Sequence, residues 1–128
     1  MPVEVLLVED NYGDVVLIKT AMMEFSSNMR ITVAKDTDTA LALLFDPGFR
    51  PQLVITDIHL ARGIRAELFK QSKAKGVPVV VFCSALTPKE TAEVLKLGAT
   101  ECVIKPIGWD EFRDAVVGIF SRWTAGRM

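Results

Sequence analysis

The residues of this chain best suited to chemistry stand at the ends of short apolar runs. Glu9 and Asp10 follow "VEVLLV", Asp57 follows "LVIT", Ser84 follows "VVVFC" and Lys105 follows "ECVI". Carboxylates packed together repel, raising the pKa of at least one of them unless a cation joins the group. A hard divalent ion such as Mg²⁺ meets that need: it binds through one or two carboxylates and keeps positions free for water and phosphate oxygens. Lys105 would add a point positive charge and Ser84 a hydroxyl donor. Together they suit a phosphoryl group in transfer, whose equatorial oxygens are neutralised by positive charge. The attacking atom would be a carboxylate oxygen, since an aspartate can form an acyl phosphate, and Asp57 is the best placed. Taken singly, each residue has a plainer role: a capping turn for Glu9 and Asp10, a turn for Asp57 and Ser84, a solvated charge for Lys105. It is the combination that argues for a site.

Such residues are held side by side by the runs that precede them. Five runs recur, Val3–Val8, Arg30–Ala34, Leu53–Thr56, Val79–Cys83 and Glu101–Ile104, with starts 22 to 27 residues apart. Continuous apolar strands alternating with helical segments predict a parallel sheet covered on both faces, an α/β, doubly wound fold. In that fold all strand C-termini share one edge, where ligands bind. The helices are read from apolar spacing. Val15, Ile18, Met22 and Phe25 mark the first; Ala40, Leu43 and Leu44 the second, ended by Pro47 and Gly48. Leu68 and Phe69 lie in a third, stopped by Gly76 and Pro78. Pro88 opens a fourth, with Ala92, Leu95 and Ala99 along it. Trp109, Phe112, Val116, Ile119 and Trp123 mark the last, Trp123 standing as spare apolar surface.

The 128 residues suit one domain, 1–128. Half are apolar, and a net charge of −1 recommends no nucleic acid as a direct partner. The apolar runs stop short of the roughly 20 residues a membrane span requires, and no basic segment precedes the first run as in an export signal. A cytoplasmic protein with no membrane partner is expected. Cys83 and Cys102 lack metal-ligand spacing; on neighbouring strands they would sit about two residues, or about 7 Å, apart, unsuited to a disulfide.

From "VLLVEDNYGD" through "RPQLVITDIHL" and "VPVVVFCSAL" to "KLGATECVIKPI", the chain resembles response-regulator receiver domains of the CheY-like superfamily, the phosphoacceptor half of two-component signalling. The resemblance implies a flavodoxin-like five-stranded sheet in the order 2-1-3-4-5, of the stand-alone type. It implies Asp57 as phosphoacceptor, and Glu9, Asp10, Asp57 and the backbone carbonyl of His59 as ligands of Mg²⁺. Ser84 and Lys105 would grip the phosphoryl group, and the Lys105–Pro106 peptide would be cis. Ala85 would leave the acyl phosphate accessible. The implied donor is a sensor histidine kinase or phosphotransfer protein. The implied output is docking to a downstream protein through helix four, strand five and helix five, or a homodimer, without turnover of an external substrate, so not an enzyme. The opening "VEDNYGDVVLIKTAM" also resembles stand-alone receivers that serve bacterial phytochrome kinases.

Departures from the family pattern are informative. Cys102 stands where receivers carry Tyr or Phe, so an aromatic rotor cannot carry a conformational signal there. Ala61 stands where proline is common and Arg65 where glycine is, although Gly63 keeps a turn open. Arg62 and Arg65 could reach the phosphate or an acidic patch on a partner, or simply be solvated. The imidazole of His59, the one histidine, is expected at the pocket rim. Two other readings stay open: a receiver-fold interaction module that no longer uses phosphate, and a haloacid-dehalogenase-like phosphatase. The latter wants a second aspartate two residues past the nucleophile, where this chain has His59. No G-x-G-x-x-G follows the first run, which disfavours a dinucleotide site.

Overall fold

Strands that are apolar on both faces must be covered on both faces, and the helices of this chain do so. The structure, a computed structural model, describes residues 2–60 and 63–124. Its elements alternate: β1 (Val3–Val8), α1 (Tyr12–Phe25), β2 (Met29–Ala34), α2 (Thr37–Phe45), β3 (Leu53–Thr56), α3 (Ala66–Ala74), β4 (Val79–Cys83), α4 (Pro88–Leu97), β5 (Glu101–Ile104) and α5 (Trp109–Thr124). The strands form one parallel sheet in the order β2-β1-β3-β4-β5. This is the expected doubly wound, flavodoxin-like α/β fold. Only β2 differs from the expected strand bounds, starting one residue earlier because Met29 is buried and pairs with Val3.

Alternate side chains of each strand enter opposite cores. Leu6 and Val8 of β1 pack with Leu44 of α2, Phe69 of α3 and Val94 of α4. Val5 and Leu7 pack with Ile18 of α1 and with Phe112 and Ile119 of α5. Cys83 pairs with Ile104 and Cys102 with Val81, the two-residue offset expected, and both thiols are free. Among the described residues no helix is long and apolar enough to cross a membrane.

Three expectations are corrected. The core contact of α4 is Val94, fully buried, whereas Ala92 and Leu95 are exposed. The helix covers the sheet with a narrow stripe that the spacing of its apolar residues does not reveal. Val94→Ala should therefore cost about 2 kcal/mol in denaturant unfolding, while Leu95→Ala should stay within about 0.5 kcal/mol. The reverse ranking would refute this orientation. Trp123 is not spare surface: it packs half-buried against the α1/α5 core, and its Nε1–H donates to Glu101 Oε1 at 3.0 Å. The Lys105–Pro106 bond is trans, no peptide among the described residues being cis. A tertiary amide still favours trans by about 0.5–1 kcal/mol.

Candidate functional site

Three of the site residues extend the hydrogen-bond ladder one step beyond their strands. The N–H of Glu9 donates to Ala34 C=O at 3.0 Å, that of Asp57 to Val8 C=O at 3.0 Å, and that of Lys105 to Cys83 C=O at 2.7 Å. The register of the sheet thus delivers these side chains to one edge.

There Lys105 Nζ, almost wholly buried, donates to Glu9 Oε1 at 2.6 Å, Asp14 Oδ2 at 2.8 Å and Asp57 Oδ2 at 3.0 Å. It also lies 5.9 Å over the ring of Phe82. The other oxygen of Asp57 accepts the His59 N–H at 2.8 Å. Ser84 is exposed and lines a depression of 360 Å³ with Lys105, Asp14, Pro106 and Ile107. Asp10 is exposed next to the buried Glu9, and the two line an adjoining depression of 310 Å³ with Tyr12, Lys19 and Lys35.

Asp14 was missed by sequence reasoning. It belongs to the first turn of α1, which starts when the Asn11 side chain accepts the Asp14 N–H at 3.0 Å. The signal was the short path in "VEDNYGD": a helix starting so soon after β1 must open on the same edge. Arg65 does not turn to the carboxylates; its Nη1 donates to Asp38 Oδ1 at 2.8 Å, tying α3 to α2. Gly63 adopts a left-handed φ of 69°, supplying the turn that its residue type allows. Arg62 and Ala61 lie outside the described residues.

The His59 ring is half exposed at the rim. Its Nε2 lies 2.9 Å from Glu90 Oε2 and its Nδ1 3.8 Å from Asp57 Oδ1. Asp57, His59 and Cys83 also bring potential ligand atoms within 4.8 Å of one another. The Cys83 sulfur is buried and accepts the Ile58 N–H at 3.5 Å, and burial pushes its thiol up to about 12.

Three carboxylates around one ammonium leave two negative charges uncompensated. The shifts follow from this. Burial raises Glu9 above the ordinary carboxylate value, and the Lys105 ammonium only partly offsets it. Burial also acts upward on Asp57, but the His59 N–H and the Lys105 ammonium outweigh it, so Asp57 ends below its ordinary value and ionised. Burial lowers and the carboxylates, Asp14 first, raise the Lys105 ammonium, which ends above its ordinary value. In metal-free buffer, acidification should therefore protonate Glu9 above pH 4.5, before Asp57, which should hold out below pH 3.8. The two act oppositely on stability. Asp57 contributes stability above its unfolded value and loses it as pH falls through its folded one. Glu9, raised, is relieved by protonation. Carboxyl-resolved NMR titration would show this order; Asp57 titrating first would contradict it.

An oxygen-rich, half-buried cluster with two negative charges to spare has the chemistry of a hard divalent-cation site. Comparison with known proteins agrees with the fold. The family model described as "Response regulator receiver domain" matches residues 5–117. The two-component response regulator ORR11 of rice (Oryza sativa) is 32% identical over 112 residues, which cover 83% of this chain and 73% of that protein. The methanogenesis regulatory protein FilR1 of Methanothrix harundinacea is 29% identical over 105 residues, 80% of this chain; the match spans only 24% of that relative. Among solved structures, the phosphorylated cyanobacterial phytochrome response regulator RcpA superposes with a TM-score of 0.87 at 23% identity, covering 100% of this chain and 98% of that one. The Mn²⁺-bound response regulator Rcp1 superposes with a TM-score of 0.82 at 24% identity, covering 95% and 94%. At these identities the structures speak to the fold.

Proposed function

The chain belongs to the response regulator receiver domain family, and from that premise we propose that Asp57 accepts a phosphoryl group from a histidine kinase or phosphotransfer protein. The observation that carries this reading is the buried Lys105 ammonium bonded to both Glu9 and the ionised Asp57 at the sheet edge.

In the reaction an Asp57 carboxylate oxygen attacks phosphorus, forming an O–P bond as the P–N bond of the donor phosphohistidine breaks. The electron pair leaves with the imidazole, which takes a proton from solvent. Lys105 holds Asp57 Oδ2 and so orients the attacking group, and it bonds an incoming phosphoryl oxygen by giving up one of its carboxylate partners. Ser84, which lines the same depression as Lys105, supplies a hydroxyl donor. Glu9, Asp10, Asp57 and the His59 carbonyl would hold Mg²⁺, which when bound supplies positive charge against the carboxylates and the transferred oxygens. The Mn²⁺-bound relative supports a divalent ion in this fold.

The chain turns over no external substrate in this reading, works in the cytoplasm where such kinases phosphorylate, and signals by docking a downstream protein or a second copy. The exposed Leu95, Ile104 and Ile107 near α4, β5 and α5 supply apolar surface for that. The test is intact mass after incubation with acetyl phosphate. One hydroxylamine-labile phosphoryl group is expected with Mg²⁺ and none in chelator. A wild type left unlabelled in Mg²⁺ would sink the reading.

A further inference from the structure

With Cys102 in place of an aromatic rotor, news of phosphorylation needs another route out of the site. We infer that His59 is that route: a positioning residue whose imidazole links Asp57 to the N-terminal cap of α4 and exchanges partners when Asp57 is phosphorylated. The inference rests on the function proposed above and concerns the regulation of the same site.

The contacts form a short chain. His59 Nδ1 lies 3.8 Å from Asp57 Oδ1, and His59 Nε2 lies 2.9 Å from Glu90 Oε2. Glu90 is held ionised, below the ordinary carboxylate value, by the Thr87 N–H first and the His59 ring second. An ionised carboxylate has no proton to give, so the bond between them is an Nε2–H donating to Oε2. The second oxygen of the same carboxylate, Oε1, accepts the Thr87 N–H at 2.9 Å, and Thr87 Oγ1 accepts the Glu90 N–H at 3.0 Å. These two bonds are the capping box that starts α4. A single side chain, Glu90, therefore serves both the helix cap and the ring beside the phosphoacceptor.

Phosphorylation changes the balance at one end of this chain. A phosphoryl group on Asp57 replaces the single carboxylate charge with about −1.5 to −2 and sets three strong acceptor oxygens before the ring. Against these stands one carboxylate, and the ring has room to turn because 43% of its side chain is exposed. Its N–H leaves Glu90 for the phosphoryl oxygens. Glu90, released, holds Thr87 less firmly, and the first turn of α4 loosens. The buried Val94 anchors the rest of the helix, so the change stays at the end next to the site.

The experiment measures amide hydrogen exchange at Thr87 by NMR, with and without saturating beryllofluoride, an unreactive analogue of the phosphoryl group, plus Mg²⁺. Wild type should exchange about two- to fivefold faster at Thr87 when the analogue is bound, the scale of a partly exposed ion-pair contact. His59→Ala should lose this response. So should Glu90→Gln, whose amide oxygen still accepts the Thr87 N–H. By linkage, Glu90→Gln should also bind beryllofluoride about two- to fivefold more tightly, since the ring is no longer held away. A wild-type-sized response in either variant, or an unaltered affinity in Glu90→Gln, overturns the inference. A wild type that is labelled by acetyl phosphate yet silent at Thr87 overturns it alone. One that is not labelled overturns the proposed function and this inference with it.

Discussion

Asp57→Asn should take up no phosphoryl group from acetyl phosphate and Mg²⁺ under conditions in which the wild type takes up one. An amide oxygen is a poor nucleophile and its adduct would not persist, so the loss should be to background rather than partial. The substitution keeps shape, although its single oxygen can serve either the His59 N–H or the Lys105 ammonium in place of the two carboxylate oxygens that now accept them at 2.8 and 3.0 Å. It also removes one of the three charges around Lys105, so stability should change by no more than about 1 kcal/mol. A folded, unlabelled variant is the expected result. Equal labelling of the variant would mean that another carboxylate, Asp10 or Asp14, is the acceptor.

Lys105→Met should be the most destabilising single change at the site. Removing one partner of a buried ion pair leaves the others uncompensated, at a cost of about 3–5 kcal/mol. Glu9 is only 2% exposed. In chelator the melting temperature should fall by on the order of 10 °C, and Mg²⁺ should restore more of it than it adds to the wild type. The pH dependence should change as well. The raised Lys105 ammonium contributes stability that is fully present below its unfolded value of 10.5 and is lost as pH rises through its folded one. The variant lacks that alkaline loss and instead gains stability on acidification, as its crowded carboxylates take up protons. A variant that melts with the wild type in chelator would show that the cluster is not held by this ammonium.

The sheet was legible because strands buried on both faces are written as unbroken apolar runs, such as "VVVFC" and "LVIT", whose ends the chain marks with polar residues. That also made Glu9, Asp57 and Lys105 legible, since a parallel sheet brings such ends to one edge. Asp14 was not, because its place depends on how tightly α1 turns away from β1. The buried stripe of α4 was hidden for a different reason: it is narrow, with Val94 fully buried and Leu97 partly buried against the core, while Leu95 faces solvent. Arg65 could be read only as a charge in a loop, since its partner Asp38 is 27 residues away. The trans Lys105–Pro106 bond shows the limit of carrying a family habit over by position.

An ammonium has three protons, and in Lys105 all three are already committed, one to each carboxylate. A newcomer can therefore be greeted only by eviction. Asp14 is the partner that solvent can most readily receive, with 23% of its side chain exposed against 2% for Glu9 and 12% for Asp57. Occupancy of the site would then be felt at once where α1 begins, as a carboxylate set loose into water.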